Sequence, residues 1–234
     1  MDENIRLPSQ TQSQALLLAL LADARLPTGA HTQSAGLEPA LRAGLPPGDV
    51  PGYIAARLRT VTVVEAGTAV VARTVAVTSG SAVAGGGLDV VEAAWAARTP
   101  SAALRASSRQ LGRGYLRLLR RLWPDQERIP RSWRPSRPVA LGMLAARAGL
   151  DAEHTARLVG YDDAQTIAAA TLKLEPVDPA EATAWVLAAQ PLIEELVAAV
   201  AGLTEVEQIP AFAAPLVEQW AENHARTTER LFSA

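Results

Sequence analysis

The sequence predicts an all-α fold, a single-domain helical bundle of roughly eight to ten helices. Three observations lead there. Hydrophobic residues make up 49% of the chain and aromatics only 4%, so the core must be built from Ala, Leu and Val. Ala and Leu have the strongest helix propensities. Apolar residues recur at three- and four-residue steps through most of the chain, which is the period of a helix face. No strand pattern finds a second one to pair with, and an isolated strand is not stable. At 234 residues the chain can bury one large core, and residues 1–234 are read as one domain.

The elements follow in order. The opening "MDENIRLPSQTQSQ" is polar and acidic, unlike a signal peptide, and residues 1–12 are expected to be flexible. Leu16, Leu17, Leu20 and Leu21 then form the apolar face of a first helix. Its run "ALLLALLADAR" is too short, and too soon followed by Asp23 and Arg25, to cross a membrane. Ser34 is the expected N-cap of a second, short helix with Leu37 and Leu41 on one face. "LPPGDVPGY" breaks the chain. A third helix places Ile54, Leu58, Val61 and Val64 inward. "GTAVVARTVAVT" has the β-branched content of a strand, but helical neighbours and the lack of a partner strand favour a helix.

Residues 79–87 read as a loop, and "LDVVEAAW" opens another helix. Thr99–Pro100 reads as an N-cap and first helical position for the most regular helix in the chain. There Leu104, Ser108, Leu111, Tyr115, Leu118 and Leu122 share one face. "WPDQERIPRSWRPSRP" carries four prolines, and residues 123–137 read as a loop. Helices are expected from Val139 to Ala148, from Ala152, after Asp178–Pro179, and from Pro215 to Phe232.

Charge is unevenly spread. Net charge is −2, yet residues 98–137 carry eleven arginines against Asp125 and Glu127. Residues 151–234 carry fourteen acids against four bases. Such asymmetry suggests surfaces that meet charged partners. Arg105, Arg109, Arg113, Arg117 and Arg121 step by four opposite the leucine face, along roughly 24 Å of helix. One alternative is therefore a helical nucleic-acid-binding regulator using the Arg105–Arg121 stripe. No aromatic residues interleave with the stripe to stack on bases, and no nucleic-acid motif accompanies it. A solvated face, or one that meets an acidic protein, is the preferred reading.

Most catalytic chemistry lacks its residues. With no cysteine, disulfides and thiolate metal sites are excluded, which suits a cytoplasmic chain. His31, His154 and His224 are too far apart for a local metal-ligand pair, so no metal site and no cofactor are expected. A second alternative, an enzyme with a site around His31, lacks a visible acid or nucleophile nearby. No phosphate loop of the G-x-x-x-x-G-K-[ST] type and no G-x-S-x-G elbow occurs. Asp162–Asp163 and Glu194–Glu195 read as solvated helix faces, because adjacent helix residues point in different directions.

The stretch "LPTGAHTQSAGLE" has no catalytic reading, but it resembles the N-terminal signature of UreF-type urease accessory proteins through Pro27, Gly29, Ser34, Gly36, Leu37 and Glu38. Three further segments resemble that family in the expected order. "SSRQLGRGYLRL" matches at Arg109, Gln110 and Gly112, and "RPVALGMLAARAGL" matches at Pro138, Val139, Ala140 and Gly142. "ENHARTTERLFSA" matches at His224, Arg230, Leu231 and Phe232. The chain departs from the family pattern at His31, Gln33, Arg137, Asn223 and Ala225; His31 stands where Phe is frequent, and Gln33 where an aromatic is frequent.

The resemblance implies an all-α cytoplasmic protein that is not an enzyme. It implies a chaperone-like scaffold for nickel insertion into the urease metallocentre, associated with nickel binding and GTPase control. Its implied partners are a UreD/UreH-type accessory protein, a UreG-type GTPase and apo-urease, with homodimerisation, and with neither nucleic acid nor membrane. The motif residues are then candidates for partner binding. The competing structural reading is that Gly29, Gly36 and Leu37 simply let two helices pack. Leu231 and Phe232 are expected to dock, on the chain's own core or on the UreD/UreH-type partner.

Overall fold

A computed structural model describes residues 14–78, 86–124, 129–228 and 231–232. The expectations for residues 1–12, for most of the 79–87 loop and for Arg230 lie outside these residues. Among them the chain is helical, without strands: α1 (Gln14–Leu21), α2 (Leu37–Arg42), α3 (Val50–Arg59), α4 (Val61–Thr78), α5 (Gly87–Ala97), α6 (Ala102–Leu122), α7 (Arg137–Ala148), α8 (Ala152–Leu174), α9 (Pro179–Ala188), α10 (Gln190–Val200) and α11 (Pro215–Ala225). The pairs α3/α4 and α9/α10 are each interrupted by one residue, Thr60 and Ala189. The all-α class is therefore the observed one.

α4 is the hub. It is apolar nearly all round, and Val63, Val64, Ala66, Ala69, Val70, Val71 and Ala72 are buried. A helix without a polar face must be covered on all sides. α7, α8, α5, α10 and α3 cover it. The contact with α7 brings two backbones together at Gly142, where a Cβ would overlap the carbonyl oxygen of Ala69. This close approach explains how β-branched "GTAVVARTVAVT" forms a helix: the tertiary surroundings override a modest propensity penalty. By length and hydropathy, the stretches Pro47–Thr78 and Pro179–Val200 are long and apolar enough to cross a membrane; 56% of the first window is buried inside the bundle and 33% of the second.

Several local expectations are corrected. In α1, Leu16 and Leu20 point outward at 70% and 49% exposure, while Leu21 is buried and Leu17 and Leu18 pack against the core. The unbroken apolar run from Ala15 to Ala22 leaves the rotation of a short helix undetermined until a neighbour takes one face. The N-cap of α2 is Gly36, not Ser34; Ser34 Oγ instead accepts from the Glu38 N–H one turn on, at 3.3 Å. The N-cap of α6 is Ser101, whose Oγ accepts from the Leu104 N–H, and Thr99–Pro100 precede it. α11 stops at Ala225, and the chain beyond it is not helical where described. The helix expected after Pro179 is two helices, because Pro191 cannot supply the N–H that would continue the first. Gly87 already belongs to α5 and Arg137 opens α7.

Candidate functional site

The first motif forms a shaped turn ahead of α2. Gly29 is left-handed at φ 92° and starts a short 3-10 turn, Ala30–Thr32. Ala35 and Gly36 are both left-handed, at φ 51° and 78°. For Ala35 this costs about 1 kcal/mol, and the Tyr53 hydroxyl, which donates to the Ala35 carbonyl at 2.8 Å, holds it there. The same hydroxyl lies 2.8 Å from where a Gly36 Cβ would stand, so position 36 has neither the angle nor the room for a side chain.

α6 clamps this turn along one stripe. Ser107 donates to Gln33 Oε1 at 2.8 Å, and Arg117 Nη2 donates to the Pro27 carbonyl at 2.6 Å. Between them, a Cβ on Gly114 would overlap the carbonyl oxygen of Thr28. Positions 107, 114 and 117 share a helix face by their spacing. Gly112 faces the loop before α7 in the same manner, against Pro135 and Ser136. Glu92 joins the second motif to the residue just ahead of the third, accepting from Arg109 Nε at 3.2 Å and from the Ser136 N–H at 2.8 Å. Gln110 is exposed on the outer side of α6.

The chain's last motif returns to its first. Glu38 is 1% exposed, yet it lies in the first turn of α2, where a carboxylate is favoured by the helix dipole. Its Oε1 accepts from the Leu231 N–H at 2.9 Å and its Oε2 from the Phe232 N–H at 2.8 Å. Arg42, one turn along, reaches Oε1 at 2.8 Å. His224 Nε2, at the end of α11, lies 3.1 Å from the Phe232 carbonyl and 3.5 Å from Glu38 Oε2. The Phe232 ring is buried beneath Lys173, whose Nζ stands 5.2 Å from the ring centroid. Leu231 is 61% exposed beside it. Glu222 secures α11 by accepting from the Ala103 N–H and the Ser101 hydroxyl at the start of α6. These two bonds hold its carboxyl below the ordinary glutamate range. Glu38, His224, Leu231 and Phe232 thus form one bonded cluster, directly after the turn that carries Pro27, Gly29, Ser34 and Gly36.

Behind this surface lies a buried ion network that the sequence reading missed. Arg57 grips Asp163 with two bonds, at 3.0 and 2.6 Å, and Thr62 donates to the same carboxylate at 2.7 Å. Arg137 pairs with Glu65 and, at 2.5 Å, with Asp162. Burial opposes the charge on Asp163, but the adjacent Arg57 outweighs it and holds the carboxyl below its usual range. Burial wins at Glu65, whose carboxyl is raised despite Arg137. Burial also pushes the Tyr53 hydroxyl up to about 12, so it remains a donor. Asp162–Asp163 is therefore not a solvated face. The signal was present: Asp163 stands four residues from Val159 and from Ile167, on the buried stripe of α8.

The arginine stripe is largely engaged inside the molecule. Arg105 donates to the Thr99 and Pro100 carbonyls, Arg109 pairs with Glu92 and stacks 5.9 Å from the Trp95 ring, and Arg117 holds Pro27. Among the described residues only Arg113 and Arg121 of the five make no such bond. His31 is exposed and carries no acid or nucleophile bonded to it among those residues. There, too, no group of three or more His, Asp or Glu side chains is arranged to hold a metal ion.

A sequence profile described as UreF matches residues 47–190. The urease accessory protein UreF of Mycolicibacterium vanbaalenii is 35% identical over 224 residues, covering 95% of this chain and all of that protein. The chain belongs to the UreF family. The protein of the same name from Mycobacterium bovis is 36% identical over 225 residues, covering 94% of this chain and 98% of its own. That from Mycobacterium sp. strain JLS is 34% identical over 221 residues, covering 93% and 97%. The profile spans the second and third motifs. The first and last lie outside it, and in this UreF-family chain those two are the ones that meet at Glu38.

Proposed function

We propose that this chain is a non-catalytic scaffold for urease maturation. It acts in the cytoplasm with a UreD/UreH-type accessory protein and a UreG-type GTPase, regulates that GTPase, and assists delivery of nickel, the cargo, to apo-urease. The observation that carries this reading is the near full-length relationship to proteins named urease accessory protein UreF. The convergence of the first and last motifs supports it. Glu38 fixes the tail through two backbone bonds and leaves Leu231 outward, beside Leu41 and Arg42 of α2. A preorganised apolar side chain with a defined backbone around it is what a protein partner can recognise at low entropic cost.

The experiment is co-purification from the native host with a tag at the N-terminus, so that the tail stays free. Recovery of a UreD/UreH-type protein with the GTPase and urease subunits is the expected result. Recovery of nucleic acid and none of these proteins would refute the scaffold reading.

A further inference from the structure

The cavity behind the first motif has a ligand chemistry of its own. It measures about 80 Å³ and is lined by Gln33, Arg57, Glu65, Tyr115, Arg137 and Asp163, among others. A water needs roughly 10–15 Å³ of such space, so several fit. Gln33 is 6% exposed and Arg57 5%. Each keeps one buried donor, Gln33 Nε2 and Arg57 Nη1, without a hydrogen-bond partner among the described residues. The other polar groups of both side chains are satisfied: Gln33 Oε1 by Ser107, and Arg57 Nε and Nη2 by Asp163. A buried donor left unpaired costs about 1–3 kcal/mol, and both side chains line this cavity, which can supply an acceptor.

We infer that this cavity is a binding site for small neutral hydrogen-bond acceptors, ordered water first among them, with Gln33 Nε2 and Arg57 Nη1 as its recognition groups. Charge decides the class. The carboxylates of Glu65, Asp162 and Asp163 outnumber the guanidinium groups of Arg57 and Arg137 around the space, which disfavours an anion. The two free groups are N–H donors, which repel a metal cation. A neutral oxygen satisfies both conditions: it accepts from the donors, and as water or an amide-like solute it can donate to the carboxylates. The site lies between the Gly-Leu-Glu turn and the ion network, so its occupant links the candidate partner surface to the core.

The test is a crystal structure of the full chain, at a resolution that shows ordered water, grown after exhaustive dialysis and paired with native mass spectrometry. The expected result is an oxygen within hydrogen-bond distance of Gln33 Nε2 and of Arg57 Nη1. Water adds no retained mass, whereas a small carbonyl solute adds its own, so the two sources are distinguished. In solution, water–amide cross-relaxation at the Gln33 side chain should report a long-lived water when water is the occupant. Gln33→Met, with its fold checked by circular dichroism, should lose the oxygen nearest position 33 and keep the one at Arg57. A dry cavity, or Gln33 and Arg57 both turned onto protein acceptors, overturns the inference. So does a Gln33→Met structure in which the oxygen pattern is unchanged.

Discussion

Asp163 shows what a single buried charge does here. Its carboxylate satisfies Arg57 and Thr62 at once, and Arg57 has no other carboxylate among its hydrogen-bond partners. Asp163→Asn should therefore cost about 3–5 kcal/mol at neutral pH, the range for breaking a buried pair from one side. Urea unfolding measures it. The pH dependence has a definite sign. A carboxyl held below its usual range in the folded state stabilises above the unfolded value of about 3.9, and that stability is lost as pH falls through the folded value. The gap between wild type and Asp163→Asn should thus narrow on acidification below about pH 4. Glu65 works in the opposite sense, since its raised carboxyl favours the folded state only towards lower pH. A gap that is constant from pH 7 to pH 3 would contradict the role given to Asp163.

Among the elements, α6 organises the candidate site because two of its glycines admit other backbones. Glycine to alanine inside a helix normally gains up to about 1 kcal/mol. At Gly114 that gain is opposed by overlap with Thr28, and at Gly112 by overlap with Pro135 and Ser136. Overpacking of this kind costs about 1–3 kcal/mol. Gly114→Ala should therefore lower the melting temperature by a few degrees, at about 2–4 °C per kcal/mol for a chain of this size. Gly48, in open space outside these contacts, is the control. On the outer face of α6, Arg113→Gln with Arg121→Gln should leave stability within about 0.5 kcal/mol, as exposed substitutions do. If an acidic partner reads this face, the double variant should bind it more slowly and with a weaker salt dependence.

For the whole molecule, the first and last motifs are joined at Glu38, and Leu231 and Phe232 divide the work. Phe232→Ala removes a buried ring and should cost about 1.5–3 kcal/mol of stability, while freeing the tail to protease. Leu231→Ala should leave the melting temperature unchanged, since its side chain is exposed, yet weaken capture of the UreD/UreH-type protein. Unchanged capture by both variants would remove the tail from that interface. Helix periodicity made the class, α6 and the inward Ile54 and Leu58 of α3 legible in advance, because each helix carries its own spacing, whereas Val61 and Val64, read onto the same helix, belong to α4 beyond the break at Thr60. The glycines, Glu38 and Phe232 were legible only as members of a resemblance. Their contacts join residues 193 and 194 positions apart, and no local pattern encodes such a pairing. Arg57 and Asp163 were overlooked for a related reason: a charged residue on an apolar stripe shows its burial in the spacing, but its partner lies on another helix. The rotation of α1 and the end of α11 also depended on neighbours, because an unbroken apolar run and a polar stretch without a stop signal each allow more than one outcome. By itself, then, the sequence determined that the chain is helical, what it is related to and which residues carry the motifs. Tertiary structure alone decided that the first and last motifs meet at one carboxylate, because burial and pairing are properties of surfaces brought together and not of any one segment.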